Sequence, residues 1–282
     1  MIYFVIVMPQ ATEYNYKEHN MSRFGVATEH QIVDTQGRPF TVKLFQYPTP
    51  SVYVKDAFPN RENHFQNDPR LAPYADQVHD LLRVAFRDDS PEHKSTDGRF
   101  GYVSSDDSLD LVISKGQAGQ EVVVGVHSYK TIVLPGYNLT PALYTHYAAV
   151  HPDFSGGNIR RVSAMPIMDT FKPEVFCGST HSDAILASIV TMARDMGYEL
   201  YPKVDQDPLK WVYRLGRAVL SASLSVEAQL GSDLVRTGSS PYTQDASGRL
   251  PHPIAQRLNL TPNQAVLYVA ISPRLLKVID KS

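Results

Sequence analysis

Residues 149–160 read Ala149-Val150-His151-Pro152-Asp153-Phe154-Ser155-Gly156-Gly157-Asn158-Ile159-Arg160. Before them, 142–150 is an apolar run with the character of a strand, and after them 159–170 keeps a helical period. A glycine-containing turn between a strand and a helix leaves several backbone N–H groups without intrahelical partners. They converge on one place, and the helix N-terminus adds a partial positive charge there. A pyrophosphate fits such a place. The candidate amide donors are Gly156, Gly157, Asn158, Ile159 and Arg160, with the side chains of Arg160 and Arg161 adding positive charge. On loop chemistry alone, a plain strand-to-helix turn with solvated arginines is the commoner reading. The flanking elements decide between the two.

Downstream, 175–178 reads as a short strand and 182–196 as a helix with Ile185, Ile189, Met192 and Met196 on one face. Ser182 caps that helix, Asp183 complements its dipole and Gly197 stops it. A strand over 198–201 ends at Pro202. Asp207-Pro208 then opens a helical period that continues through Trp211, Leu215, Ala218, Ala222, Val226 and Leu230, with Gly216 and Gly231 as weak points. Its apolar stripe either packs internally or pairs two chains, so a homodimer is one expectation. A loop over 237–253, a short helix over 254–258 and a buried strand over 265–271 follow. Pro166 is expected to kink or divide the helix at 159–170, at a cost of about 3 kcal/mol.

Upstream, 74–87 is an amphipathic helix with Val78, Leu81, Leu82 and Ala85 at helical spacing. Strands over 109–114 and 121–129 flank the turn Lys115-Gly-Gln-Ala-Gly119. In the first seventy residues, strands are expected at 2–8, 31–34, 40–46 and 52–54. The turn at 34–39 joins the middle two as a hairpin, and 60–70 is a polar linker.

The 282 residues are 43% apolar and 20% charged, which excludes disorder throughout and fits a soluble globular chain. A net charge of −2 carries no basic excess, so no nucleic-acid partner is expected. The apolar opening run is too short to span a bilayer and lacks the marks of a signal peptide, so no membrane association is expected. The single cysteine, Cys177, excludes an intrachain disulfide and a Cys-rich zinc site. It agrees with a reducing compartment, and the cytoplasm is the one expected. His146 and His151 have no clear third ligand near them, so no metal is expected.

The order of elements from 74 to 201 resembles the GNAT (N-acetyltransferase) superfamily. The family writes its central loop as V-x-P-x-x-R-G-x-G-I-G, and Val150, Pro152, Gly156 and Ile159 fit it at the right spacing. Ser155 replaces the usual Arg or Gln, Asn158 the second glycine, and Arg160 the small residue that ends the loop. Gln120-Glu-Val-Val-Val-Gly125 resembles the family's G-x-x-V-G run. Ala184 through Gly197-Tyr-Glu-Leu-Tyr-Pro202 resembles its A-x-x-L-Y-x-x-x-G-F segment.

The resemblance implies an α/β fold with a mixed sheet, of the GNAT-like acyltransferase type. A core at 71–204 would carry a β-rich extension at 1–70. A helical insertion would precede a last strand that completes the core sheet within 205–282. It implies acetyl-CoA or another acyl-CoA as donor, held by Val150, Ser155, Gly156, Gly157, Asn158, Ile159, Arg160 and Arg161, with Ser179 nearby. The backbone N–H of Val150 would polarise the thioester. The family's carboxylate base falls on His146, which can do that work as an imidazole. Its tyrosine acid falls on Ala193, and the substitutes at hand are Ser179, Thr180, His181 and Tyr198, of which Tyr198 is taken as the candidate. The first reading is therefore an N-acyltransferase acting on a small-molecule or protein amine. The second is a GNAT-like fold without catalysis, serving as a binding protein, and is motivated by Asn158, Ala193 and Pro166. A third has the acyl group delivered by a lipid or a carrier protein.

Overall fold

Residues 26–47, 68–86, 108–116, 118–134, 140–180, 182–223, 229–237, 252–260 and 264–279 are described in a computed structural model. The strands expected at 2–8 and 52–54, and most of the linker at 60–70, lie outside these residues. The hairpin expected around 34–39 joins β1 (Val26–Val33) to β2 (Pro39–Gln46). Helix α1 (Ala75–Phe86) follows, then the antiparallel strands β3 (Ser108–Lys115), β4 (Glu121–Leu134) and β5 (Thr140–Val150). Helix α2 (Ile159–Phe171) is the crossover that lays β6 (Val175–Thr180) parallel to β5. The chain continues through α3 (Asp183–Asp195), β7 (Glu199–Tyr201), α4 (Lys210–Ser223), β8 (Gln229–Leu230), β9 (Val235–Thr237), α5 (Pro253–Leu258), β10 (Gln264–Ile271) and α6 (Pro273–Ile279).

One mixed sheet results, in the order β1-β2-β3-β4-β5-β6-β10-β9-β8, with β7 paired to β10. The mixed α/β architecture and the helix-and-strand order expected from the sequence are what the chain adopts. β2 pairs with β3 from Thr41↔Ile113 to Gln46↔Ser108, so the sheet already begins within the first seventy residues. β10 fills the place between β6 and the two short strands. Its 269–271 end pairs with β7 and its 264–266 end with β9.

Side chains alternate across the sheet and make two cores. On one face Leu44, Tyr129, Leu143, Phe176 and Tyr268 pack against Ala164, Ile167 and Met168 of α2 and Ile189 and Met192 of α3. On the other, Phe45, Leu109 and Leu111 meet Val78, Leu81 and Leu82 of α1. On that same face Ala142, Tyr144, Cys177, Leu267 and Val269 meet Val212, Leu215 and Val219 of α4. The apolar stripe of α4 thus packs internally. Gly216 lies where α4 comes closest to the sheet, since a β-carbon there would be 2.9 Å from a methyl of Leu267.

Two expectations give way. Pro166 does not divide α2, which runs as one helix from Ile159 to Phe171. It forfeits one rung of the ladder, and burial of Ile159, Ala164, Ile167 and Met168 holds the helix on the sheet. The period expected to reach Leu230 ends as a helix at Ser223, and Leu230 lies in β8. A tight turn at 231–234 follows β8. Gly231 donates to the Val235 carbonyl at 2.8 Å, and Leu234 takes a left-handed conformation at φ +64°. No helix among the described residues is long and apolar enough to cross a membrane.

Candidate functional site

β5 and β6 pair only from Ala142↔Val175 to Thr145↔Gly178. Beyond that step β5 runs on to Val150 and β6 to Thr180, so the sheet opens into a gap between two strands. The opening coincides with an irregularity on the other side of β5. Ser128 pairs with Tyr147 but Tyr129 with Thr145, which leaves His146 as the extra residue of a bulge. Above the bulge, the N–H of Tyr147 donates to Ser128 Oγ at 3.2 Å and that of His151 to the Val124 carbonyl at 2.8 Å, both on the β4 side. By strand alternation the amides of Ala148 and Val150 point the other way, into the gap.

The loop after β5 is built locally. His151 Nδ1 accepts from the Asp153 N–H at 3.3 Å, and Ser155 N donates to the Pro152 carbonyl at 3.0 Å, closing a 3-10 turn over Pro152–Phe154. Gly156 follows at φ +91° and Asn158 at φ +53°. Asparagine is among the few residues at home in that left-handed region, which explains how it stands where a second glycine is usual. Val162 is the first residue whose N–H is taken up, by the Asn158 carbonyl at 3.1 Å. Among the described residues, the amides of 156–161 have no partner, so six donors in a row are available at the start of α2.

A second element holds this loop from outside. Asp34, in the β1–β2 turn, is buried and accepts the N–H of Gln36 and of Arg38, each at 2.9 Å, and Arg38 Nε at 2.7 Å. Arg38 Nη2 then donates to the Phe154 carbonyl at 3.0 Å, and the Thr35 N–H to the Gly157 carbonyl at 3.0 Å. Burial alone would push the Asp34 carboxyl up. The Arg38 and Gln36 amides and the Arg38 guanidinium outweigh it and hold the carboxyl below its ordinary range. Gly157 faces this pair with no room to spare, because a β-carbon there would collide with the Asp34 carboxylate.

The residues singled out in the sequence separate into two groups. His146 is half-buried, and its ring lies 4.3 Å from that of Tyr147 and 6.4 Å from that of Tyr144. Strand alternation accounts for Tyr144, and the bulge accounts for Tyr147. The Tyr144 hydroxyl is 3.4 Å from Ser179 Oγ, one residue past the last paired step of β6. Burial pushes that phenol up to about 12, so it stays protonated. Val150 directs its side chain to the core of Phe40, Val112, Val124 and Ile159. His146, Tyr144, Tyr147, Ser179 and the 156–161 amides therefore border one gap.

Other candidates stand elsewhere. Arg161 pairs with Asp195 of α3, so its charge is not free for an anion. Arg160 turns inward, with Nη1 3.4 Å from the Ile185 carbonyl. Tyr198 is at the opposite end of the sheet, where its hydroxyl donates to the Pro173 carbonyl at 2.5 Å. β5 and β6 run toward the loop and α3 runs back from it, which puts the residue after α3 at the far end. The role of acid expected for Tyr198 gives way on that ground. His181 lies outside the described residues. The clamp at Asp34 and Arg38 escaped the sequence reading, and its one local signal was the Asp-Thr-Gln-Gly turn.

These features fit an acyl-CoA in kind. A row of amides without partners among the described residues suits a diphosphate, and two strands that part beyond Thr145↔Gly178 suit the amide-bearing pantetheine arm. No protein-family model matches the chain, and no curated protein does. Among solved structures, an acetyltransferase of the GNAT family from Listeria monocytogenes is 14% identical over 62% of this chain and 94% of its own, with a TM-score of 0.34. An agmatine N-acetyltransferase variant in its apo form is 10% identical over 71% of this chain and 94% of its own, with a TM-score of 0.34. A NatC complex bound to Gag peptide and CoA is 13% identical over 48% of this chain and 82% of its own, with a TM-score of 0.34. At those TM-scores none of the three likenesses bears on what this chain does.

Proposed function

We propose that this chain is an N-acyltransferase that moves an acetyl or other acyl group from acyl-CoA to an amine. The observation that carries this reading is the coincidence of the β5–β6 gap with six unpartnered amides at its mouth. In this reading the 156–161 amides hold the diphosphate, and the Ala148 and Val150 amides line the gap. The bound thioester supplies the activated acyl carbon. His146, in the bulge on the α1–α4 face, takes the proton from the amine nitrogen as that nitrogen bonds the acyl carbon. Tyr144 and Tyr147 wall the acceptor side, and Ser179 borders it from β6. A small-molecule or protein amine, in the cytoplasm, is the acceptor class this reading proposes.

Calorimetry with acetyl-CoA tests it directly. Saturable binding is expected, and an absence of heat at millimolar ligand defeats the proposal. Binding without turnover on a broad amine panel would transfer the function to the non-catalytic reading. His146→Ala is expected to lower kcat by about 10²- to 10⁴-fold with donor affinity unchanged. The deficit shrinks as pH rises, because free amine and hydroxide take over the work of a base. A pH–rate profile that matches the unaltered chain would remove His146 from the reaction.

A further inference from the structure

Gly178 closes the paired part of β5 and β6, and what excludes a side chain there is a tyrosine. A β-carbon on Gly178 would collide with the Tyr268 hydroxyl, and would come within 2.9 Å of the Thr145 carbonyl oxygen. The hydroxyl of Tyr268, on β10, therefore lies over the last paired step, at the closed end of the gap. From Thr145 to Val150 the strand spans about 15 Å, the reach of an extended pantetheine arm from the amide row to its sulfur.

Resting on the acyl-transfer reading above, we infer that Tyr268 is the group that meets the donor's sulfur. As the amine nitrogen bonds the acyl carbon, the carbon–sulfur bond breaks and its electron pair stays on sulfur. The Tyr268 O–H donates a hydrogen bond to that sulfur and keeps its proton, so the charge that gathers on sulfur is held as a thiolate. The amine proton, taken by His146, passes to solvent, and the departing thiolate takes one from solvent, so amine and thioester become amide and thiol with no proton unaccounted for.

The surroundings suit a donor. Burial pushes the phenol up, so it is protonated, while Arg160 of α2 partly offsets that effect. The other titratable groups of this buried face are Tyr129 and His127 on β4 and Asp110 on β3. Burial favours the neutral form of each. The buried Cys177 thiol, on β6, is also held neutral by burial. Arg160 is the charge that remains beside the hydroxyl.

The test titrates the thiol of bound CoA by its ultraviolet thiolate absorbance, which needs no acceptor. In the unaltered chain the bound thiol is expected to ionise below free CoA. In Tyr268→Phe its pKa is expected to rise by about one to two pH units relative to the unaltered complex. CoA affinity should be retained, and kcat should fall by roughly 10²-fold. A bound thiol in the unaltered chain that ionises no lower than free CoA overturns the assignment, even if the Phe variant fails to fold. Equal titration in the two proteins overturns it as well. Failure of the unaltered chain to bind CoA at all defeats the acyl-transfer reading itself, which separates the two failures.

Discussion

Gly157→Ala is expected to weaken acetyl-CoA binding by at least tenfold and to cost about 1–3 kcal/mol of stability. The added methyl has nowhere to go. It would enter the space of the Asp34 carboxylate and come within 2.7 Å of an Arg38 nitrogen. Asp34 cannot swing aside cheaply, because it holds two backbone amides and the Arg38 guanidinium. The loop must lift away from the β1–β2 turn, breaking the Thr35–Gly157 and Arg38–Phe154 bonds and turning the amide row out of line. Chemical denaturation and calorimetry read the two effects separately. Asp34→Ala removes the obstacle along with the clamp, so Gly157→Ala should cost much less in that background than alone, a coupling that a double-mutant cycle measures. Strict additivity of the two changes would show that the turn does not hold the loop.

Asp110→Asn is expected to make the protein acid-sensitive from about pH 6.5 downward. Asp110 and His127 are cross-strand partners on β3 and β4, fully buried beneath α2. Burial pushes the Asp110 carboxyl well above the ordinary range, and the neighbouring Tyr129 hydroxyl offsets that only in part. Burial drives the His127 imidazole down to about 3, while its Nδ1 lies 3.3 Å from Ser163 Oγ. As pH falls below 6.5 the unfolded chain protonates this histidine and the folded chain does not. That term costs about 1.4 kcal/mol per pH unit, or about 2.7 kcal/mol by pH 4.5. Asp110 acts with the opposite sign. Its folded form holds a proton that the unfolded form has lost, so its contribution is full below the ordinary carboxylate range and fades as pH rises through the raised folded value. In the unaltered chain the two terms offset one another in mildly acid solution. Asparagine keeps the shape and removes the compensation, leaving the histidine term bare. Denaturation midpoints from pH 8 to 4.5 should fall more steeply for the variant, and parallel profiles would refute the account.

The elements legible in the sequence were those whose side chains record one face. Val78, Leu81 and Leu82 announced α1, and Ile185, Ile189 and Met192 announced α3, because burial on one side writes a period into the chain. The loop at 151–158 was legible because glycine and proline there answer to backbone geometry. The bulge at His146 left no trace, since it depends on how β4 and β5 come into register. The clamp at Asp34 and Arg38 reaches Phe154 from more than a hundred positions away, and the Asp-Thr-Gln-Gly turn marks only its near end. Tyr198 looked eligible beside Gly197 because sequence nearness hides the length of α3, which carries it to the far end of the sheet. Tyr268 was hidden for the reverse reason: an apolar strand read as buried, and only the third dimension brings its hydroxyl to Gly178.

β10 has a consequence for the order in which the molecule can be assembled. It is the wall behind β6, yet more than eighty residues of chain separate the two. During synthesis β6 emerges early and waits with an open edge while the 202–263 segment is made. An exposed edge invites pairing with other chains, and contacts of such separation form slowly. A nascent chain halted before 264 would carry the amide row and the bulge but no closed gap. Translation pausing or early termination in that segment should therefore yield aggregation-prone protein rather than a smaller working one.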